Sequence, residues 1–407
     1  MSKPNLANKK ECTGCLACVS SCNKNALSSY IDEEGHLAVR CNTEKCVLCH
    51  KCEQVCPVIS DFEYKGNSES KFYAAWNLDN NIRKRSASGG AFAAMALYVL
   101  QQGGYVFGAA NVGVCDIKHI CIDNKKDLAL LQGSKYTQSN AETSYLYAYK
   151  LLKDEKLVLF SGTGCQIAGL LSYLRHKVYS GSLITVDLIC GGVPSKLLID
   201  KFLENEPYVI RKILSFRTKE CGWKSSGFKY NMKTLDDKDV VHDYSNVKNL
   251  VTDGFSSELT NRYSCYNCRF VGLERKSDFT IGDLWGDEKF PREHYNGLSL
   301  VVVHNGSSIK LLNQMNEYLH CEPIEANDAV RHNYRLVSGK MKGSKYIERR
   351  CLPYLFSRLS YSMLKHIYAN DIELCSPWIL YKLYRKIKKC FSYENRNINI
   401  FYRHSVF

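Results

Sequence analysis

Eight of the nine cysteines between positions 12 and 56 fall into two runs of identical spacing. Cys12, Cys15, Cys18 and Cys22 make one C-x2-C-x2-C-x3-C run; Cys46, Cys49, Cys52 and Cys56 make the other, with Pro57 after the last. Two intervening residues let three thiolates curl around one face of an iron–sulfur cubane, and the fourth points away to ligate a neighbouring cluster. The expected sets are therefore Cys12, Cys15, Cys18 with Cys56, and Cys46, Cys49, Cys52 with Cys22. They predict two 4Fe–4S clusters close enough to exchange electrons. A zinc ribbon needs four ligands in two pairs and leaves the repeated run unexplained. Asn23 stands after Cys22 where proline is usual, which removes no ligand, and Cys41 reads as a bystander.

Four further cysteines stand where chemistry is expected. Cys165 and Cys190 each follow an apolar, strand-like run and precede a helical one. Adjacent strand ends in an α/β sheet open on one crevice, and a helix start favours a thiolate or an anionic cluster. Cys265 and Cys268 form a C-x2-C pair, which suits zinc, redox chemistry or a share in a four-cysteine site. Taken alone, Cys165 and Cys190 read as buried structural thiols, the more common fate of a lone cysteine.

The elements that must position these groups come next. Residues 1–62 read as an α+β dicluster domain of the bacterial ferredoxin type, and the polar stretch 63–71 reads as a linker. Residues 72–330 alternate strands with helices, the pattern of an α/β core, divided into 72–150 and 151–330. Strands are expected at 72–76, 105–110, 114–122, 157–160, 183–189, 279–284 and 298–304. Helices are expected at 86–100, 166–175, after Pro194 and at 307–319, with 161–165 as a loop.

Several stretches of this core resemble one known family. They are Ser88-Gly89-Gly90, Gly133-Ser134-Lys135-Tyr136, Gly162-Thr163-Gly164-Cys165-Gln166, Asp187-Leu188-Ile189-Cys190, Ser264-Cys265-Tyr266-Asn267-Cys268 and the run from Ser277 to Gly286. In this order they resemble the beta subunit family of coenzyme F420 hydrogenase/dehydrogenase, in the branch with a fused N-terminal dicluster ferredoxin. The resemblance implies an α/β flavin-binding core that takes FAD and a third 4Fe–4S cluster. It makes Cys165, Cys190, Cys265 and Cys268 the ligands of that cluster. It places Ser88, Gly89, Gly90, Gly133, Ser134, Lys135, Tyr136 and Thr163 at the flavin, with Lys135 as the charged group that acts on the reduced ring. Gly164 stands where the family usually has proline and Gly191 where it usually has histidine, departures that weaken the transfer of the deazaflavin activity.

The formal net charge is +14, and residues 331–407 hold 16 Lys and Arg against 4 Asp and Glu. This segment is expected to be mainly helical. Between 378 and 391, Leu380, Leu383, Tyr384, Ile387 and Phe391 recur at helical spacing, while Lys382, Arg385, Lys386, Lys388 and Lys389 fill the other face. Such a helix packs on the body, docks an acidic protein or meets an anionic membrane surface from the cytoplasmic side. No nucleic-acid motif accompanies the charge. The polar N-terminus does not resemble a secretory signal, and the longest apolar run, 91–100, is too short to span a bilayer, so a cytoplasmic protein is expected. The expected function is an iron–sulfur flavoprotein oxidoreductase with a soluble electron-donor or acceptor protein and a small-molecule substrate. The alternatives are an electron-transfer subunit of a larger complex and a structural or sensory iron–sulfur module.

Overall fold

The computed structural model describes residues 3–66, 69–205, 260–286, 288–340 and 358–364. Between 206 and 259 it describes residues 213, 216, 217, 219, 222, 223, 229–233, 239–243, 251, 255 and 258. The basic helix expected at 378–391 lies outside the described residues.

The two cysteine runs fold as one backbone turn used twice. Gly14 and Leu16 in the first run, and Leu48 and His50 in the second, all take positive φ, at 67°, 66°, 52° and 58°. Identical spacing has produced identical left-handed positions, although three of the four carry side chains that resist them. Each loop runs into a single helical turn, α1 (Ala17–Ser20) and α2 (Lys51–Gln54). The antiparallel strands β1 (Leu27–Ile31) and β2 (Leu37–Cys41) lie between the runs. Leu16, Val19, Leu27 and Leu37 form a small shared core.

The remainder is built on an eight-stranded mixed sheet. In chain order the elements are β3 (Lys71–Asn77), α3 (Asn80–Arg85), α4 (Ala91–Gln101), β4 (Tyr105–Asn111), β5 (Ile117–Ile122), α5 (Leu128–Leu131), α6 (Ser144–Lys153), β6 (Leu157–Thr163), α7 (Gly164–Leu174), β7 (Ser182–Leu188) and α8 (Leu197–Asn205). Then follow a separate antiparallel pair, β8 (Lys229–Lys233) and β9 (Asp239–Asp243), and β10 (Phe279–Asp283), β11 (Ser299–Val303), α9 (Gly306–Asn313), β12 (Leu319–Ile324), α10 (Ala326–Arg331) and α11 (Tyr334–Val337). The sheet order is β12-β3-β11-β10-β7-β6-β4-β5. Its centre, β10-β7-β6-β4, is parallel, and antiparallel strands extend it on both sides. β11 reads Ser-Leu-Val-Val-Val and is buried throughout, as a strand covered on both faces must be.

The two faces carry different helices. α4 and α9 pack on one face against Val106, Leu159, Ile184, Val186, Phe279 and Val301. α4 is apolar nearly all round, with Ala94, Met95, Ala96 and Val99 wholly buried. That explains why its apolar run was too continuous to show one amphipathic stripe. On the other face α6 and α7 cover Phe107, Val158 and Phe160, and Cys15, Ala17 and Val58 of the N-terminal region join the same cluster. The N-terminal region is thus seated on α6 and α7.

Four expectations about elements need correction. The helix predicted over 86–100 starts at Ala91, because Gly90 takes φ 86° and Ser88 donates its hydroxyl to the Leu298 carbonyl. Residues 161–163, expected to loop, continue β6 and pair with Val186, Asp187 and Leu188 of β7. The strand predicted to begin at 114 begins at Ile117, since Asn111 closes a turn over Val114 and Asp116. The helix predicted over 307–319 ends at Asn313, and Leu319 opens β12, an edge strand that tolerates Pro323. The 63–71 stretch is anchored: Tyr64 is buried and donates to Asp187 at 2.6 Å, and Ser70 pairs with His304 at 2.9 Å.

Candidate metal centre and cofactor cavity

Several of the N-terminal thiols stand close to one another. Burial and the neighbouring Cys56 push the Cys15 thiol up to about 12, and Cys12 adds to it. Burial, then Cys15, Cys12 and Cys56, pushes Cys18 well up. Cys15, Cys18 and Cys56, each pushed up first by burial and further by neighbouring thiols, would be held as thiolates once a cationic iron core compensates the charge. The left-handed turns supply concavities of backbone N–H groups, which suit an anionic cluster. In the second set, burial, then Glu53 and Cys49 raise Cys52 to about 11, and Ala26 donates its N–H to Cys22 Sγ at 3.3 Å. Cys41 hydrogen-bonds Cys46 and feels Cys22, so it stands beside this set. Cys49 is solvent-exposed, whereas Cys15 and Cys52 are buried.

The four core cysteines also meet. Cys165 lies in the first turn of α7, directly after β6; Cys190 lies two residues beyond β7; Cys265 sits in a 3-10 turn at Tyr263–Tyr266, and Cys268 follows. Burial pushes Cys165 well up, and Cys268, Cys190 and Cys265 add to it. Cys265 is pushed to about 12 by burial, then Cys190 and Cys268. Donors to sulfur are present: Gly192 N–H to Cys190 Sγ and Val193 N–H to Cys265 Sγ, both at 3.4 Å. Thr163 Oγ1 lies 3.2 Å from Cys165 Sγ. Arg335, buried on α11, donates to the Cys190 and Cys265 carbonyls and ties the two loops together. Among the described residues no three His, Cys, Asp or Glu side chains converge on a single ion position.

A cavity of about 320 Å³ opens beside this site, at the carboxyl ends of the parallel strands. That is where open α/β sheets bind ligands, and the volume is at the low end for cofactor-sized sites. Ser88, Gly90, Gly133, Ser134, Lys135, Tyr136 and Thr163 line it, and so does Cys190. Gly89 does not line it. A Cβ there would stand 2.4 Å from the Ala75 carbonyl and 2.5 Å from the Ser299 nitrogen, so this glycine lets 86–90 lie flat on β3 and β11. Lys135 donates to the Gln132 carbonyl at 2.7 Å and the Leu130 carbonyl at 3.3 Å, and burial lowers its pKa to about 7. The walls thus combine aromatic surface (Tyr136 against Phe255, centroids 4.4 Å apart and the rings tilted by 49°), backbone at a helix start and one adjustable cation. These are the parts a flat heterocycle with a polar edge requires, and in that sense the residues fit a flavin.

Two contributors, His119 and Lys219, escaped the sequence reading, and Gln166, quoted within a family stretch, was given no role there. His119, on β5, lines the cavity; its Nε2–H donates to the Ser161 carbonyl and its Nδ1 accepts from the Ser139 hydroxyl, both at 2.8 Å. Burial lowers its pKa to about 4, so it is a neutral strut. Gln166 caps α7 through Thr163 and donates to Ser139. Lys219 is buried behind Ser88, bonded to the Arg83, Ser88 and Asn296 carbonyls, with burial lowering its pKa to about 7. A lone histidine or lysine without a spaced partner carries no sequence signal of its own.

Comparison with known proteins supplies the lineage. Residues 72–144 match the family model for the coenzyme F420 hydrogenase/dehydrogenase beta subunit N-terminus, and 155–327 match that for its C terminus. Residues 11–59 match a 4Fe-4S dicluster domain. Archaeal-type glutamate synthases [NADPH] of Thermotoga sp. (strain RQ2) and Thermotoga maritima are each 34% identical over 82 residues. That is 20% of this chain, and the chain spans only 16% of the length of these curated relatives. A chain of the F420-reducing [NiFe] hydrogenase complex from Methanosarcina barkeri aligns over 72% of this chain and 94% of its own, at 16% identity and a TM-score of 0.46. No helix among the described residues is long and apolar enough to cross a membrane. The chain belongs to the coenzyme F420 hydrogenase/dehydrogenase beta subunit family, with a 4Fe–4S dicluster domain fused at its N-terminal side.

Proposed function

We propose that this protein is an iron–sulfur flavoprotein oxidoreductase that takes electrons from a low-potential protein donor and delivers them, in pairs, to a small-molecule acceptor. One observation carries this reading: Cys190 belongs both to the core thiol set and to the wall of the cavity that Ser88, Lys135, Tyr136 and Thr163 line. When bound, 4Fe–4S clusters supply single-electron chemistry and FAD converts between one- and two-electron chemistry. The chain's own residues hold the parts in place. Cys12, Cys15, Cys18 and Cys56 would hold one N-terminal cluster, Cys46, Cys49, Cys52 and Cys22 the other, and Cys165, Cys190, Cys265 and Cys268 the third. Thr163, Ser88 and Gly90 would bind the ring edge. Lys135, close to half-protonated near neutrality, supplies or withholds positive charge at the cavity wall. His119, with both ring nitrogens engaged, excludes water without moving a proton. The exposed Cys49 loop offers the donor its approach.

The test is anaerobic purification with iron and flavin analysis. Three clusters and one cofactor require about twelve irons and one flavin per chain. Cys265→Ala should lose about four irons and keep the dicluster signal. Unchanged iron in that variant rejects the third site, and absence of flavin rejects the flavoprotein reading. Turnover by the single purified chain with a reduced ferredoxin then separates an enzyme from a carrier subunit.

A further inference from the structure

We propose that Cys12, Cys15, Cys18 and Cys56 form the inner of the two N-terminal sets, coupled to the core set through α7, and that Gly169 and Tyr145 are the positioning residues for that junction. The inference rests on the reading above that each set holds a cluster, and it adds the order in which they stand.

Gly169 brings the two sets together. A Cβ built on it would lie 3.1 Å from Cys15 Sγ and 3.3 Å from the Tyr145 hydroxyl. The Cys15 thiol therefore rests directly on the backbone of α7. Cys165, of the core set, lies four residues earlier on the same helix, about 6 Å along its axis at 1.5 Å per residue. One helix thus carries a ligand of the core set in its first turn and the seat of the inner set in its second.

Tyr145 fills the same junction from α6. It is wholly buried, and its hydroxyl lies 2.9 Å from the Cys15 carbonyl and 3.0 Å from the Gln166 carbonyl. A phenol has one proton to donate, so this hydroxyl serves two carbonyls in turn, one belonging to each set's backbone. The rest of the inner loop is held equally firmly. Gln138 donates to the Thr13 and Gly14 carbonyls at 2.8 and 3.1 Å, and Arg262 and Ser264 donate to the Cys12 carbonyl. Ser264 is the residue before Cys265, so the core set touches the inner loop from a second side. By contrast Cys49 and the neighbouring Val47, at 60% exposure, face solvent.

The order is testable on the full chain by electron paramagnetic resonance of the reduced protein, where neighbouring paramagnetic clusters split each other's signals. Cys49→Ala, which empties the outer set, should leave the splitting of the core-cluster signal in place; Cys12→Ala should abolish it. Gly169→Val should weaken that splitting at full iron content. Should Gly169→Val fail to load iron, Gly169→Ala and Tyr145→Phe make the same test with a smaller displacement. A core-cluster splitting lost in Cys49→Ala but retained in Cys12→Ala overturns the order. A splitting that none of the three junction variants alters overturns the role of Gly169 and Tyr145. An iron content near eight in the unaltered chain would instead refute the third cluster, so the two failures are distinguishable.

Discussion

Asp187 and Arg275 form an ion pair at 2.9 Å with side chains 0% and 1% exposed. Asp187 also accepts from Tyr64 at 2.6 Å and from Thr280. It sits on β7 three residues before Cys190, so it holds the strand that leads to this thiol. Asp187→Leu would leave the Arg275 guanidinium buried without its counter-charge, and breaking one side of such a pair costs about 3–5 kcal/mol. At 1.4 kcal/mol per factor of ten, protection of the β7 and β10 amides against hydrogen exchange should fall by about two to three and a half orders of magnitude. Asp187→Leu combined with Arg275→Met should recover much of that loss, because no charge is then stranded. The recovery will be incomplete, since Arg275 also donates to the Gly272 and Leu336 carbonyls. Hydrogen exchange read by mass spectrometry on peptides covering 182–188 and 279–283 measures this. A fall of less than about tenfold in the single variant, or a double variant worse than the single, would refute the reasoning.

Other tests follow from the same geometry. Gly164→Pro, which restores the residue usual in the family, should impair folding and the core cluster here, because a Cβ at 164 would stand 2.6 Å from the Phe270 carbonyl; iron content and melting temperature report it. Gly191→His should fold normally, since among the described residues a Cβ there meets Phe255 alone, at 3.5 Å, and ligand affinity then tests whether an imidazole at the cavity wall changes selectivity. Leu48→Gly should stabilise the second cysteine loop by about 1 kcal/mol by relieving its left-handed backbone, measured as a higher unfolding midpoint. His119 has a folded-state pKa near 4 against an ordinary 6.5, so the unfolded chain binds the extra proton between those values and stability should fall as pH drops from about 6.5 to 4. His304, also lowered to about 4 by burial, adds to the same slope, and His119→Leu should flatten it. Lys135, lowered to about 7, carries its burial penalty in full below pH 7 and sheds it as pH rises toward 10.5. Flavin affinity that depends on this cation should weaken between pH 6 and 8, and Lys135→Gln should remove that dependence.

The dicluster region was legible because ligation is a matter of residue type and short-range spacing. Once Cys12, Cys15 and Cys18 stand three apart, and again Cys46, Cys49 and Cys52, the chain has few ways to arrange them, and the paired left-handed turns at 14, 16, 48 and 50 follow. The alternation of strands and helices was legible for the same local reason. Where competing local signals met, the reading failed: the Ser-Gly-Gly stretch broke the helix expected from 86, and β12 hid behind α9 because an edge strand interrupted by Pro323 shows no alternation.

Sequence alone thus determined which cysteines can act together within each short run, because a few bond rotations separate them. Local spacing left open whether Cys165, Cys190, Cys265 and Cys268 meet, which only the family resemblance implied, and nothing in the sequence placed Cys15 on Gly169 or His119 and Lys219 beside the cavity. Those contacts join residues tens to hundreds of positions apart. They exist because the parallel strands β6 and β7 end at the same edge and because α6 and α7 bury one face against the sheet and the other against the N-terminal region. Such positions are set by the burial of apolar surface over the whole molecule, a quantity that no local window of the chain contains.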